Sequence, residues 1–397
     1  MIRRRTTLCL GLSQLVCWGI SFYLIGVFGD RIMAETGWSR TLVHGGFSVA
    51  LLTMGLVSPL VGRLIDRVGG GYVMAAGSVF CAIGCLTLAM VQTVGTYYAA
   101  WICLGLAMRA TLYDAAFATL ARIGGPRARQ PIAQITLLGG LASTCFWPLG
   151  HFLANSLGWR WALVVYAAIA LSMVLLHLTI PRHRHRADEE TAEPHHRTRP
   201  VPEGRERSLA AILYAAIVTL INGLNAGLSA HLIGMLTEFG IAIAVAVSIA
   251  SLWGIGQVSA RIGGVMVGNR VSPIDLNLAA IAVLPLCLGI AVTGGAYVAA
   301  AACFVFLYGA GNGIASITRG TLPLVLFDTR TYGAFVGKLL APSFVVAAAS
   351  PFAFAAVIDH AGARGALFLA IGIASVTLAA ALGLKALDRA IRLRTAE

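Results

Sequence analysis

Read from the N-terminus, the chain alternates long apolar runs with short polar breaks. Twelve runs of 18 to 27 residues can be marked off: 8–29, 42–61, 72–92, 97–121, 131–153 and 161–180, then 209–232, 241–267, 276–293, 296–318, 332–358 and 366–387. A bilayer core about 30 Å thick needs roughly 20 apolar residues per crossing helix. Transmembrane barrel strands would instead show alternating segments of about 10 residues. Glycine and proline inside the runs do not argue against helices, because neighbouring helices re-satisfy any freed backbone group. The pattern predicts an all-α polytopic membrane protein with twelve transmembrane helices.

Composition agrees. Hydrophobic residues make up 58% of the 397 positions and charged residues only 11%, against about 25% charged in an average soluble domain. Mean hydropathy is +0.83. The net charge of +13 gathers in alternate breaks: Arg3 to Arg5, Arg122 to Arg129, seven arginines between 182 and 207, and Lys385 to Arg394. Basic residues mark cytoplasmic segments, so both termini are expected in the cytoplasm of a bacterial-type plasma (inner) membrane. The charge is then a topological signal, and no nucleic-acid partner is implied. The first run is too long for a signal-peptide core and has no evident cleavage site after it.

The chain divides once. Residues 181–207, "PRHRHRADEETAEPHHRTRPVPEGRER", are polar and of mixed sign, which suits a solvated linker. Its histidines (183, 185, 195, 196) are equally compatible with metal binding on composition alone. The expected organisation is an N-terminal six-helix bundle over 1–180, a cytoplasmic linker over 181–207 and a C-terminal six-helix bundle over 208–397. The halves echo each other at a spacing near 204. "GWRWAL" (158–163) returns as "GARGAL" (362–367), and Gly105 and Gly309 hold matching places. Parallel repeats of this kind are one transporter architecture.

The break after the second run reads "GRLIDRVGGG" (62–71). Gly62, Asp66, Arg67 and Gly69 resemble the loop signature of the major facilitator superfamily, Gly-x-x-x-Asp-Arg-x-Gly followed by basic residues. The resemblance implies the two-bundle major facilitator fold and a gating role for these four residues. Asp66 would act as a latch, set against the positive N-terminus of a helix such as the eleventh and near an arginine of its own half. Gly70 and Gly71 replace the family's basic pair. The matching turn of the second half, "GVMVGNRV" (264–271), has Gly268 and Asn269 in place of the acid and base.

Ionisable groups inside a membrane usually face a cavity or a partner. Arg109, Asp114, Arg261 and Lys338 are the candidates. Arg261 and Lys338 each lie seven residues from their helix midpoints, about 10 Å from the midplane. Equal depth suits an anion site; it equally suits two side chains snorkelling to the interface. "GVFGDRIMAETGWSR" (26–40) resembles the monocarboxylate and oxalate–formate porter branch. There an arginine on helix 8 and a lysine on helix 1 or 11 contact substrate carboxylates, which implies substrate-binding roles for Arg261 and Lys338. Tyr23 stands where proton-coupled members have lysine, and Gln257 where they have aspartate. Asp114 is then the candidate proton carrier, or a structural partner of another helix. Trp101 stands where the superfamily's usual helix 4 has an arginine before Gly105.

All eight cysteines fall inside the runs. Cys81 and Cys85 share a helix face and could hold a soft metalloid, or pack as small hydrophobes. His177 and His231 read as packing residues. No protein metal site or cofactor is expected. No Gly-x-Ser-x-Gly, HExxH or paired-aspartate pattern supports an intramembrane enzyme. No polar segment is long enough for a sensor domain, and no phosphate-binding loop supports ATP coupling. The reading is a monomeric secondary transporter of a small molecule, an organic anion such as a monocarboxylate or dicarboxylate, working by alternating access. Its partners would be the lipid bilayer and a proton or counter-solute. The alternative is an efflux pump for drugs or trivalent metalloids.

Overall fold

The structure, a computed structural model, describes residues 2–185, 204–268, 270–294 and 296–394. Among them every regular element is helical. Ten segments are long and apolar enough to cross a membrane. Two of these, Val94–Leu157 and Tyr332–Arg394, run for 64 and 63 residues, about three bilayer thicknesses at roughly 1.5 Å per residue. The first is interrupted at Leu112 and Gly125, the second at Gly362 (φ 68°, ψ −176°), so each of the two holds two of the expected runs.

The chain forms two compact units. One comprises Met1–Glu189 with Thr329–Ala341, the other Glu190–Asp328 with Pro342–Glu397. The expected linker lies largely outside the described residues, with His195 and His196. Within its described part, the His185 N–H donates to the Arg122 carbonyl at 2.9 Å, and the Arg182 guanidinium lies 4.2 Å over the Tyr72 ring.

The first unit begins with α1 (Arg4–Cys17) and α2 (Leu24–Thr36), joined by a π-helical turn, Trp18–Phe22. No proline causes this. The Ser21 hydroxyl bonds the Cys17 carbonyl at 2.5 Å, competing with the ladder, and the Tyr23 N–H reaches back to the Trp18 carbonyl, the longer spacing of a π turn. There follow α3 (Arg40–Val68), α4 (Gly70–Ala89), α5 (Val94–Thr111), α6 (Tyr113–Gly124), α7 (Arg129–Gly139), α8 (Ala142–Leu157) and α9 (Trp159–Leu178).

The run expected to be one helix over 97–121 is therefore two. Leu112 is extended (ψ −172°). The Thr111 hydroxyl bonds back to the Ala107 carbonyl at 2.8 Å, and Gln14 Nε2 donates to the Thr111 carbonyl at 2.9 Å. That carbonyl no longer serves residue 115, whose N–H goes to Leu112 instead. Side-chain groups compete for the backbone, and the helix breaks without glycine or proline.

The second unit holds α10 (Gly204–Glu238), α11 (Ile243–Val267), α12 (Pro273–Gly294), α13 (Val298–Thr321) and α14 (Pro323–Leu326). It also holds most of α15 (Tyr332–Arg394). Its apolar core includes Leu228, Cys287, Phe304, Tyr308, Phe354 and Leu367.

The sequence echo corresponds to shared structural tasks. A Cβ on Gly105 would meet the Ala50 carbonyl of α3 at 2.6 Å; one on Gly309 would collide with the Trp253 carbonyl of α11. Each glycine lets two helix backbones touch. Gly158 (φ 83°) and Gly362 (φ 68°) both take left-handed backbone before a new helix. In each unit a glutamate from the end of the first crossing holds that new helix. Glu35 accepts from the Trp159 ring N–H and from Arg160 Nε at 2.9 Å, and Glu238 accepts from the Ala363 N–H at 2.8 Å.

Candidate functional site

In the first unit, Asp66 in the last turn of α3 faces the first turn of α15. Its Oδ1 accepts from the Gly333 N–H at 3.0 Å and its Oδ2 from the Ala334 N–H at 2.6 Å. These are N–H groups that an α-helix leaves without internal partners, at its positive end. The approach requires glycine: a Cβ on Gly62 would collide with the Gly333 carbonyl. Gly69 (φ 99°) makes the turn into α4. The Arg67 side chain is exposed, and its carbonyl is what the fold engages.

An arginine that the sequence reading did not single out fastens this corner. Arg122 at the end of α6 donates to the carbonyls of Asp66 (3.3 Å), Arg67 (3.4 Å) and Arg182 (2.7 Å). It serves the last carbonyls of α3, as cations near a helix C-terminus do. The missing basic pair also has a physical reason. A Cβ on Gly70 would collide with Thr119, and one on Gly71 would lie 2.8 Å from the His177 carbonyl. Asn269, the counterpart in the second half, lies outside the described residues.

Arg109 is 3% exposed and donates to the Ser58 hydroxyl (2.9 Å) and carbonyl (3.3 Å). Ser58 in turn donates to the Gly337 carbonyl at 2.7 Å. Lys338, the next residue, is exposed. Although Arg261 and Lys338 both belong to the second half of the sequence, Lys338 falls in the first compact unit and Arg261 in the second. Asp114 is not mid-helix as expected: the break at Leu112 places it, half-buried, in the first turn of α6. Tyr23 closes the π turn, its ring 6.2 Å from those of both Trp18 and Trp147. Trp18 also lies 5.0 Å from Tyr113, and Phe22 lies 5.0 Å from Phe47. Trp101 is fully buried.

His177 is fully buried and bridges Ser13 (2.5 Å) and Ser78 (3.0 Å); His231 meets the Pro351 carbonyl at 2.8 Å. Cys81 and Cys85 are buried in α4. Among the described residues no group of three or more His, Cys, Asp or Glu is placed to hold a metal ion.

In the second unit, α13 carries a polar stripe: Tyr308, Asn312, Ser316 and Arg319, at helical spacing. Arg261 of α11 is 5% exposed and donates from Nε to the Ser316 hydroxyl at 3.2 Å. Gln257, one turn earlier and half-buried, packs its backbone against Gly313. On the α10 side, Tyr308 donates to Asn225 Oδ1 at 2.7 Å, and Asn225 Nδ2 donates to Asn312 Oδ1 at 2.6 Å. Arg319 Nη1 donates to Asn222 Oδ1 at 3.2 Å, and Asn222 Nδ2 to the Ser343 hydroxyl at 3.1 Å. The sequence reading missed this cluster because an apolar run that meets an arginine reads as finished at 318, whereas α13 continues to Thr321. The available signal was the i, i+3 pair Asn222/Asn225 and the i, i+4 pair Tyr308/Asn312 inside apolar runs.

A multi-pass α-helical membrane protein with an internal repeat, helices held together by glycine contacts and polar side chains inside its spans has the construction of a solute transporter. The chain belongs to the Major Facilitator Superfamily, whose model matches residues 10–338. It is 34% identical over 170 residues to an MFS-type efflux pump of Mycolicibacterium smegmatis, a match covering 40% of this chain and 37% of that protein. It is 29% identical over 157 residues to the chloramphenicol resistance protein CraA of Acinetobacter baumannii, covering 38% and 37%. The chain thus spans under two-fifths of the length of these curated relatives. Its fold is similar to that of the human organic anion transporter MFSD10 (TM-score 0.71, 17% identity, 96% of this chain and 100% of that one). It is also similar to that of the proton:xylose symporter XylE (TM-score 0.75, 13% identity, 94% of each chain).

Proposed function

We propose that this transporter is a secondary carrier of a small organic anion, a monocarboxylate or dicarboxylate, working by alternating access. The observation that carries this reading is Arg261: a guanidinium inside a span, 5% exposed, bonded to a neutral hydroxyl. Among the described residues no carboxylate forms an ion pair with it. A buried charge is costly without a counter-charge, and an anionic substrate supplies one. In this reading the protein is a monomer with both termini cytoplasmic, divided as 1–180, 181–207 and 208–397. Asp66 and its glycines gate the cytoplasmic side, and Asp114 carries the coupling proton.

A second reading, efflux of neutral aromatic compounds, is favoured by the rings of Trp18, Phe22, Tyr23, Phe47 and Tyr113 in the first unit and by the names of the two curated relatives. Ligand-dependent thermal stabilisation of the purified chain separates the two. Benzoate, oxalate, chloramphenicol and arsenite are the panel. Stabilisation by the carboxylates alone supports the anion reading; stabilisation by chloramphenicol alone replaces it.

A further inference from the structure

The polar stripe on α13 has a direction. Tyr308 is a phenol and donates to Asn225 Oδ1, which orients that amide so that its Nδ2 donates onward to Asn312 Oδ1. The carbonyl oxygen of Asn312 is thereby occupied, and its half-buried NH₂ group is turned away from Asn225 with no described hydrogen-bond partner. Arg319 is arranged the same way. Its Nη1 goes to Asn222 Oδ1, Asn222 is itself anchored on buried Ser343, and the guanidinium sits 5.7 Å from the Phe344 ring centroid.

Asn312 and Arg319 are seven residues apart, two turns of one helix, so they lie on one face about 10 Å apart along the axis. The long arginine side chain can bridge much of that distance. Both side chains are half-buried, whereas Arg261, on the other flank of the stripe, is buried behind Ser316. Both networks end in hydrogen-bond donors, a polarity that suits a ligand group made only of acceptors.

We infer that Arg319 and Asn312 form a carboxylate seat in the second unit, with Asn222 holding the guanidinium and the Tyr308–Asn225 pair orienting the Asn312 amide. Arg261 is a positioning residue that acts on the stripe through Ser316. This assignment rests on the anion reading above and specifies which side chains touch the anion.

The test uses the full chain purified in detergent, with benzoate, oxalate and pyruvate as probes and benzamide as the neutral control. Binding is measured by calorimetry and thermal shift. Wild type should bind at least one carboxylate and ignore benzamide. Removing one partner of a desolvated charge contact weakens binding by about thirtyfold or more, which is the expectation for Arg319→Gln. Arg319→Lys keeps the charge without the planar fork and should fall between; Asn312→Ala should lose about tenfold. Arg261→Gln should lose less than Arg319→Gln. If Arg319→Gln does not fold, Arg319→Lys and Asn312→Ala decide the matter. Should no carboxylate bind wild type, the anion reading fails and the seat with it. Should carboxylates bind wild type, with Arg319→Lys and Asn312→Ala unchanged and Arg261→Gln inactive, the seat is wrong and the anion reading stands.

Discussion

The two units solve the same packing problem and then diverge in what they do with polar groups. Both bring their second and fourth crossings together through a glycine, Gly105 or Gly309, and both hold a late helix with a glutamate, Glu35 or Glu238. Both interrupt the fourth crossing after a Thr-Leu pair, "RATLYD" (109–114) and "RGTLPL" (319–324). In the first unit the interior polar side chains Gln14, Arg109 and His177 are at most 3% exposed and engage backbone or serine partners. In the second, Asn222, Asn225, Asn312 and Arg319 remain half-buried. Side chains fully enclosed by their own unit stabilise it; those left partly open have capacity for a solute. Where the aligned breaks differ, Asp114 stands against Leu324, and the first unit alone has a carboxylate.

That difference gives the largest expected effect. Asp114→Asn should abolish accumulation against a gradient while preserving exchange, because exchange moves no net proton. Measuring both in proteoliposomes, with the melting temperature of the same variant, tests this; normal proton-driven accumulation removes Asp114 as a carrier. Asp66→Asn comes next. It weakens two charge-assisted hydrogen bonds to the start of α15, each contributing about 1.5–3 kcal/mol, so transport should fall roughly tenfold or more with abundance intact. A wild-type rate in that variant would sink the latch.

Smaller effects probe the shared framework. Gly105→Ala and Gly309→Ala each press a methyl group onto a backbone carbonyl that cannot move aside. Overpacking of this kind costs about 1–3 kcal/mol, and the two melting temperatures should fall by similar amounts. A drop in only one would show that the repeat is not equivalent at this contact. Smallest are Glu35→Gln and Glu238→Gln. The Glu35–Arg160 pair is partly exposed, with side chains 48% and 35% accessible, so its loss should cost less than about 1 kcal/mol, read as a shift in melting temperature that shrinks in high salt.

The sequence by itself determined the class of fold, because a membrane imposes one demand everywhere: runs of about 20 apolar residues whose backbone groups bond internally. It also exposed the glycine of each close helix contact and the Gly-x-x-x-Asp-Arg-x-Gly turn, since backbone approach and left-handed φ require glycine wherever they occur. The position of Asp66 against the start of α15 joins residues 267 and 268 apart in the chain, and only tertiary structure could select that helix among several. The breaks in the first and fourth crossings were hidden for a related reason. Serine, threonine and glutamine side chains, not glycine or proline, divert the carbonyls of Cys17, Ala107 and Thr111, and Gln14 does so from 97 residues away. The same holds for Arg319, whose charge reads locally as the end of a span. Its inclusion in α13 is decided by Asn222 on another helix, because a cation inside a membrane protein is placed by its partners and not by its neighbours in sequence.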